Sequence, residues 1–409
     1  MKNTNFIITK RFVFTVTSLA VLIFIAVFTI ITFAINKQSV PNDTLYNNVS
    51  EESNKSNFLD DDASNPEKND NNSDLGSIDI SENSNEHQNS EISEISDDIV
   101  EHGWVINEYG YTYVYNGCGY EQFNYKNTAL QRYVNALNNF VTLLPESTQL
   151  YSITVPVSST FADIPREIYV SDNFYNQAQS TFVSTVSALT DKRLTHVSIV
   201  DILESSYDNG EYVFYRTDKN WTADGAYLAY RSFCESAKIE PLPINTFPKN
   251  TVDEFLGSFY NATKSNAMKN SPDEFIYYSP SRTVKSSLTV YDNGMVYENY
   301  SVCGNKVNKY SPQTVFLGRD AERFEINTTA SGGKLLIIGD ESVYPIVPFL
   351  TSHYNKIDII NPKRFKTSLN EFLNNRSYDT CLLMCYSTNS ISGDYIPTLN
   401  LLTGVTADE

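Results

Sequence analysis

Positive charge is what this chain has least of. Its 30 lysines and arginines face 49 aspartates and glutamates, for a formal net charge of −19. With no basic stripe to neutralise phosphates, a nucleic-acid partner is excluded. Histidine is scarcer still, at four in 409 residues. The five cysteines, Cys118, Cys234, Cys303, Cys381 and Cys385, contain no C-x-x-C pair, so a zinc framework is not expected, and no cofactor is assigned. An odd count leaves at least one thiol unpaired. A Cys118–Cys303 bridge is allowed for a protein outside the cell, whereas Cys381 and Cys385, four apart in an apolar run, share one face of a buried strand and read as core packing. Repeats at solenoid periods are also missing, which removes stacked-repeat architectures.

What is present is unevenly spread. No residue from 12 to 35 is charged, and 24 residues at 1.5 Å each reach about 36 Å, enough to cross a hydrocarbon core of roughly 30 Å. Lys2, Lys10 and Arg11 precede this run and acids follow it, so the positive-inside bias makes 1–11 a cytoplasmic tail, 12–35 a transmembrane helix and everything beyond it extracellular. The competing reading, a cleaved signal peptide, meets a run that is long for such a segment and lacks a clean small-x-small site. Between residues 37 and 100 stand 16 acids against Lys37, Lys55 and Lys68, leaving −9 for 101–409. A stretch so rich in Asn, Ser, Asp and Glu cannot bury enough apolar surface to offset its ordering entropy, and 36–100 reads as a disordered acidic linker. It is either a plain spacer or a segment whose acids meet calcium or wall polymers.

From 101 to 409 the chain reads as one α/β domain. Leu130, Tyr133, Val134, Leu137, Val141 and Leu144 recur at helical spacing, and 151–157 follows as a short buried strand. Strands are expected at 197–202, 212–215, 315–318, 334–340, 356–360 and 381–386, with helices at 223–238, 343–350 and 368–374. Alternation of this kind predicts a three-layer fold, a parallel sheet with helices on both faces. The Tyr-, Asn- and Ser-rich stretch 257–312 reads as a β-rich insertion, an antiparallel excursion with a hairpin turning at Asp292-Asn293-Gly294. Its crowded tyrosines, Tyr277, Tyr278, Tyr291, Tyr297 and Tyr300, suit either strand packing or stacking on sugars.

Ligands in open α/β sheets bind beyond the carboxyl ends of strands, which directs attention to 155–159, 216–222, 318–320 and 339–342. Two of these carry a resemblance. The segment 215–222, Tyr-Arg-Thr-Asp-Lys-Asn-Trp-Thr, followed by Gly-Ala-Tyr-Leu-Ala-Tyr at 225–230, resembles the signature of the DHHW family of bacterial surface proteins, whose motif reads Asp-His-His-Trp. That family is a branch of the SGNH-hydrolase-like superfamily and is similar to the alginate O-acetylation proteins. Leu-Leu-Ile-Ile-Gly-Asp-Glu-Ser at 335–342, with Val-Pro-Phe-Leu at 347–350, is similar to the family's nucleophile block, in which Asp-Ser ends a strand. Phe316-Leu317-Gly318 resembles a third block that normally continues Gly-Asn-His. The likeness covers residues 101–390 and implies an SGNH-hydrolase-like fold, a cell-envelope polysaccharide as partner and O-acetyl transfer or esterase activity.

The departures from that pattern bear on the chemistry. In such enzymes a serine attacks an acyl carbonyl, a histidine takes its proton, an aspartate orients the histidine and neutral donors hold the oxyanion. Asp218 retains the aspartate. Lys219 and Asn220 replace both histidines, and an amide does not titrate near neutral pH. Glu341 occupies the nucleophile position with Ser342 one residue later, and Arg319-Asp320-Ala321 stands where the oxyanion donors should be. The resemblance therefore implies a degenerate site, a pseudoenzyme that binds glycan, with an envelope-assembly scaffold as a further alternative. An active enzyme would instead use Ser342 as a shifted nucleophile and His353 or His196 as base. Asp218, Asp320, Asp340 and Glu341, all at strand ends, would repel unless cations join them. Lys219 and Arg319 are the internal candidates for a salt-bridge network, and calcium is the alternative. Trp221 and Arg216 complete the expected cleft.

Overall fold

The computed structural model describes residues 102–107, 110–304, 307–308 and 311–405. The chain divides into two units, Met1–Ile92 and Ser93–Glu409, and every described residue lies in the second. The expected tail, membrane helix and linker at 1–100 lie outside the described residues. Among the described residues no helix is long and apolar enough to cross a membrane.

Strands β1 (His102–Asn107), β2 (Gly110–Tyr115) and β3 (Cys118–Tyr120) form a small antiparallel sheet. In chain order there follow β4 (Gln149–Val155), β5 (Leu194–His196), β6 (Lys249–Phe255), β7 (Asp273–Tyr278), β8 (Ser286–Asp292), β9 (Met295–Tyr300), β10 (Arg323–Thr328), β11 (Lys334–Gly339), β12 (Lys356–Ile360) and β13 (Thr380–Tyr386). The central sheet runs β5-β4-β13-β11-β12-β10-β8-β9, and β6 pairs only with β7. Pairings from β5 to β12 are parallel and those from β12 to β9 antiparallel, so the sheet is mixed and mainly parallel. Strands buried on both sides must be apolar throughout. Every side chain of β13 is buried accordingly, Cys381 and Cys385 among them.

Two groups of helices cover this sheet. Asn127–Leu143 packs with Gln179–Leu189 and Tyr395–Thr403, while Ala223–Ala237 packs with the 3-10 segment Glu341–Ile346 and the turn of helix Val347–Leu350. The periodic residues Leu130, Tyr133, Val134, Leu137 and Val141 all face the core. Thr222 caps the start of Ala223–Ala237, its hydroxyl accepting from the Gly225 N–H at 3.1 Å, which satisfies one of the donors that a helix start leaves free.

Several expected elements differ. The strand at 197–202 is displaced to β5, and the same apolar residues begin the helix Val200–Asp208. The stretch 212–215 forms no strand, only a single bridge between Phe214 and Trp221. At 315–318 the chain leaves a 3-10 turn, Pro312–Val315, and passes through Leu317 and Gly318 at φ 58° and 79°. Each is a short apolar run, and burial without ladder pairing gives it the same composition as a strand. The stretch 257–312 forms the expected antiparallel excursion, though it is neither all strand nor detached from the central sheet. It opens with helices Ser258–Thr263 and Asn266–Asn270, sends β7 back to β6, and adds β8 and β9 to the central sheet through β10. The hairpin itself forms, with Asn293 and Gly294 at φ 50° and 74°, the two positive values that a tight two-residue turn needs. Cys118 and Cys303 are unbridged; the Cys303 thiol donates instead to the Tyr278 carbonyl at 3.3 Å.

Candidate functional site

The DKNW segment is held from below by one carboxylate. Asp273, at the start of β7, accepts from Thr217 N and Oγ1 at 2.8 and 2.6 Å, from Arg216 N and Nε at 3.1 and 3.2 Å, and from the Tyr212 hydroxyl. This turns Arg216 away from the expected cleft; its remaining nitrogens donate to Ser271 Oγ and the Pro272 carbonyl. Asp218 is then free to face the other way. Its Oδ1 accepts from Asn220 N at 2.9 Å and Asn220 Nδ2 at 2.7 Å, and its Oδ2 accepts from Ser258 N at 2.8 Å. Gly257 makes that last bond feasible, because a Cβ there would sit 2.2 Å from the Asp218 Cβ. Trp221 is buried, its backbone N–H donating to the Tyr386 hydroxyl at 3.2 Å and its indole N–H to the Ser342 carbonyl at 3.3 Å.

The second block joins the first at the carboxyl ends of β11 and β13. Asp340 accepts from Ser342 N at 2.9 Å and Ser342 Oγ at 2.5 Å on one oxygen, and from Tyr386 N at 2.9 Å and Asn389 Nδ2 at 2.6 Å on the other. Burial, followed by the neighbouring Glu341 charge, pushes its carboxyl up to about 6 in spite of these donors. Glu341 Oε1 accepts from Lys219 Nζ at 2.8 Å. Burial would raise the Glu341 carboxyl, but the Lys219 charge and hydrogen bond outweigh it and hold the group below its ordinary range. Beside this pair stands Glu121, which burial pushes up to about 7 against the attraction of Lys219, with Glu341 and Asp218 adding repulsion.

A cavity of about 310 Å³ opens between these blocks, lined by Asp218, Asn220, Trp221 and Glu341 together with Phe255, Phe275, Phe316, Tyr344 and Tyr386. Asp218, the amide in the second histidine position and the carboxylate in the serine position thus meet in one place. Asn220 keeps an imidazole's bond to the aspartate through Nδ2, while its Oδ1 is buried with no hydrogen-bond partner among the described residues.

The remaining candidates separate. The Ser342 hydroxyl is buried and committed to Asp340, His353 Nε2 lies 2.6 Å from the Tyr230 hydroxyl, and His196 Nδ1 lies 2.7 Å from Ser152 Oγ. Among the described residues no imidazole hydrogen-bonds the Ser342 hydroxyl that the active-enzyme alternative requires. Arg319 stacks on the Tyr297 ring at 4.3 Å rather than joining Lys219 in an ion-pair network. Asp320 accepts from the Tyr344 hydroxyl and Asn361 Nδ2, both at 2.8 Å, and touches the cavity only through that tyrosine. Among the described residues no three metal-ligating side chains cluster. Asp340 accepts four hydrogen bonds from protein donors and Asp218 three, so their charge is met largely by neutral N–H and O–H groups.

The family model of the DHHW protein matches residues 39–360. The chain belongs to the DHHW family. A DHHW family protein from Eubacterium siraeum DSM 15702 superposes with a TM-score of 0.62 at 21% identity, over 75% of this chain and 98% of that one. Bacillus cereus PatB1, in a structure with a sulfonyl adduct, superposes with a TM-score of 0.56 at 14% identity, over 73% of this chain and 98% of its own. At such identities the likeness establishes a shared fold, the SGNH-like α/β architecture with its mixed, mainly parallel sheet. No curated protein matches the chain at a significant level.

Sequence reasoning missed Gly257, Ser258, Asp273, Glu121, Tyr386 and Asn389. The strand-end rule that located Asp340 would also have located Tyr386 and Asn389 had it been applied after the 381–386 run. Asp273 and Glu121 carry no local signal, since only tertiary folding brings them beside the motif.

Proposed function

We propose that this protein is an outward-facing DHHW protein, anchored in the membrane by residues 12–35, that holds a cell-envelope glycan in the cavity at Asp218 and Trp221 and does not transfer acyl groups. The observation that supports this reading best is Asn220. It takes the place and the aspartate bond of the base, yet an amide has no proton equilibrium near neutral pH with which to activate a hydroxyl. Glu341 adds a carboxylate where a negative oxyanion would have to form, which opposes that transition state. The cavity is of a size and aromatic character suited to one sugar ring, and the acidic stretch 37–100 supplies a solvated spacer between membrane and domain.

The test uses the full-length chain with 4-nitrophenyl acetate and with immobilised envelope polysaccharide. The expected outcome is turnover indistinguishable from buffer together with retention on the polysaccharide. Ester turnover that disappears in Ser342→Ala would sink the reading in favour of the shifted nucleophile.

A further inference from the structure

Building on the reading that the cavity receives a glycan ring, we propose that the group it selects is a protonated primary amine carried on a sugar-sized ring. The first reason is an unfilled acceptor. Asn220 lines the cavity, its buried Oδ1 has no partner among the described residues, and the amide cannot turn to present a donor without breaking its 2.7 Å bond to Asp218. A buried acceptor left open costs its full desolvation, so a ligand that brings an N–H recovers it.

The second reason is charge. Among the described residues no lysine, arginine or histidine lines the cavity, whereas Asp218 and Glu341 both do. Lys219 covers one oxygen of Glu341 and Lys363 also attracts that carboxylate, while the donors on Asp218 and Asp340 are neutral, so three carboxyl groups stand against two cations and the cluster leans negative. Glu121 adds a titratable carboxyl next to the same lysine. A carboxylate, phosphate or sulfate would enter against this field without a cation to meet it. The third reason is the aromatic lining, of which Trp221, Phe255 and Phe316 are part. Ring faces attract ammonium groups and discriminate little against the apolar face of a sugar. Together these features fit a ring amine better than a neutral hydroxyl or amide at the same position, which gains the hydrogen bond but not the charge.

The experiment is isothermal titration of the full-length chain at about pH 6 with glucosamine, N-acetylglucosamine and cyclohexylammonium. Glucosamine is expected to bind at least about tenfold tighter than its N-acetyl form, a difference of ~1.4 kcal/mol. Glu341→Gln should remove the preference, and Lys219→Met should strengthen amine binding by releasing the Glu341 oxygen. Opposite signs in these two variants cannot arise from a common loss of structure. Equal affinity for the two sugars overturns the amine proposal and leaves the glycan reading standing. Binding of cyclohexylammonium with neither sugar bound supports the amine proposal and overturns the glycan reading. Failure of every amine to bind, or equal weakening in both variants, overturns the proposal.

Discussion

Two polar clusters are built into the same sheet, and they are finished differently. On β10 and β12, Glu325 lies directly opposite Asp358, a like-charge pairing that a sheet tolerates only with cations alongside. Arg323 supplies one, reaching Asp358 at 2.6 Å and Glu325 at 3.2 Å, and Lys356 another, at 3.2 Å from Glu325. The Tyr378 hydroxyl donates to Asp358 at 2.9 Å, and the Tyr291 ring lies 3.5 Å from the guanidinium. No side-chain polar atom of this group is left buried and unpartnered among the described residues. At the carboxyl ends of β11 and β13, by contrast, the cleft cluster satisfies Asp218, Asp340 and half of Glu341 but leaves Asn220 Oδ1 open. A closed network reads as architecture. An open one, at a residue that lines a cavity, reads as a place for something else.

The sharpest way to break this contrast is to open the closed cluster. Arg323→Leu leaves Asp358, whose side chain is wholly buried, with only the Tyr378 hydroxyl and Lys356 Nζ at 3.8 Å, and should cost about 3 kcal/mol in urea unfolding of the full-length chain. Replacing both partners, Arg323→Met with Asp358→Leu, should recover most of that loss, because no uncompensated charge remains. A single variant within about 1 kcal/mol of the parent would show that the ion pair does not hold the sheet.

A smaller effect separates the two clusters by pH. Glu121 is raised from 4.5 to about 7, mainly by burial. A carboxyl raised in the folded state binds its proton more tightly there than when unfolded. Its favourable contribution is therefore complete below about 4.5 and lost as pH rises toward 7. Glu121→Gln should match the parent near pH 4.5 and exceed its stability at pH 8 by on the order of 1–2 kcal/mol, less than the full shift because the group is partly exposed. Thermal unfolding at both values checks this. Parallel pH profiles for the two proteins would remove Glu121 from the cleft's electrostatics.

The fold was legible where periodicity runs long. The helix Asn127–Leu143 and the strands β11, β12 and β13 stand within about two residues of where their apolar patterns place them. Short runs were not legible, since 212–215 and 315–318 are apolar and largely buried but pair through only a single bridge each, Phe214 with Trp221 and Phe316 with Cys303, and form no ladder. Polar strands were hidden as well. β10, with Arg323, Glu325 and Asn327, reads as surface until the network on β12 is seen to neutralise it. Within the site, motif position sufficed to bring Asp218, Asn220 and Glu341 together, and charge named Lys219 as a cation for the four strand-end carboxylates without saying which, the structure pairing it with Glu341. Arg319 was misplaced because an aromatic face 4.3 Å away competes for a guanidinium as well as a carboxylate does.

The smallest expected effect tests the open cluster itself. Asn220→Leu removes the Nδ2 bond to Asp218, worth about 0.5–1.5 kcal/mol net, but also removes the buried Oδ1 that has no partner and so costs the folded state something comparable. Asp218 keeps backbone donors from Asn220 and Ser258 in the variant. The two changes oppose, and urea unfolding should register a difference within about 1 kcal/mol of zero. A loss of several kcal/mol, like that expected for Arg323→Leu, would mean that the Asn220 amide is a structural member as closed as its counterpart on β10. Near-neutrality would mean that the fold gains little from this amide, leaving its unfilled oxygen available to a ligand rather than required by the core.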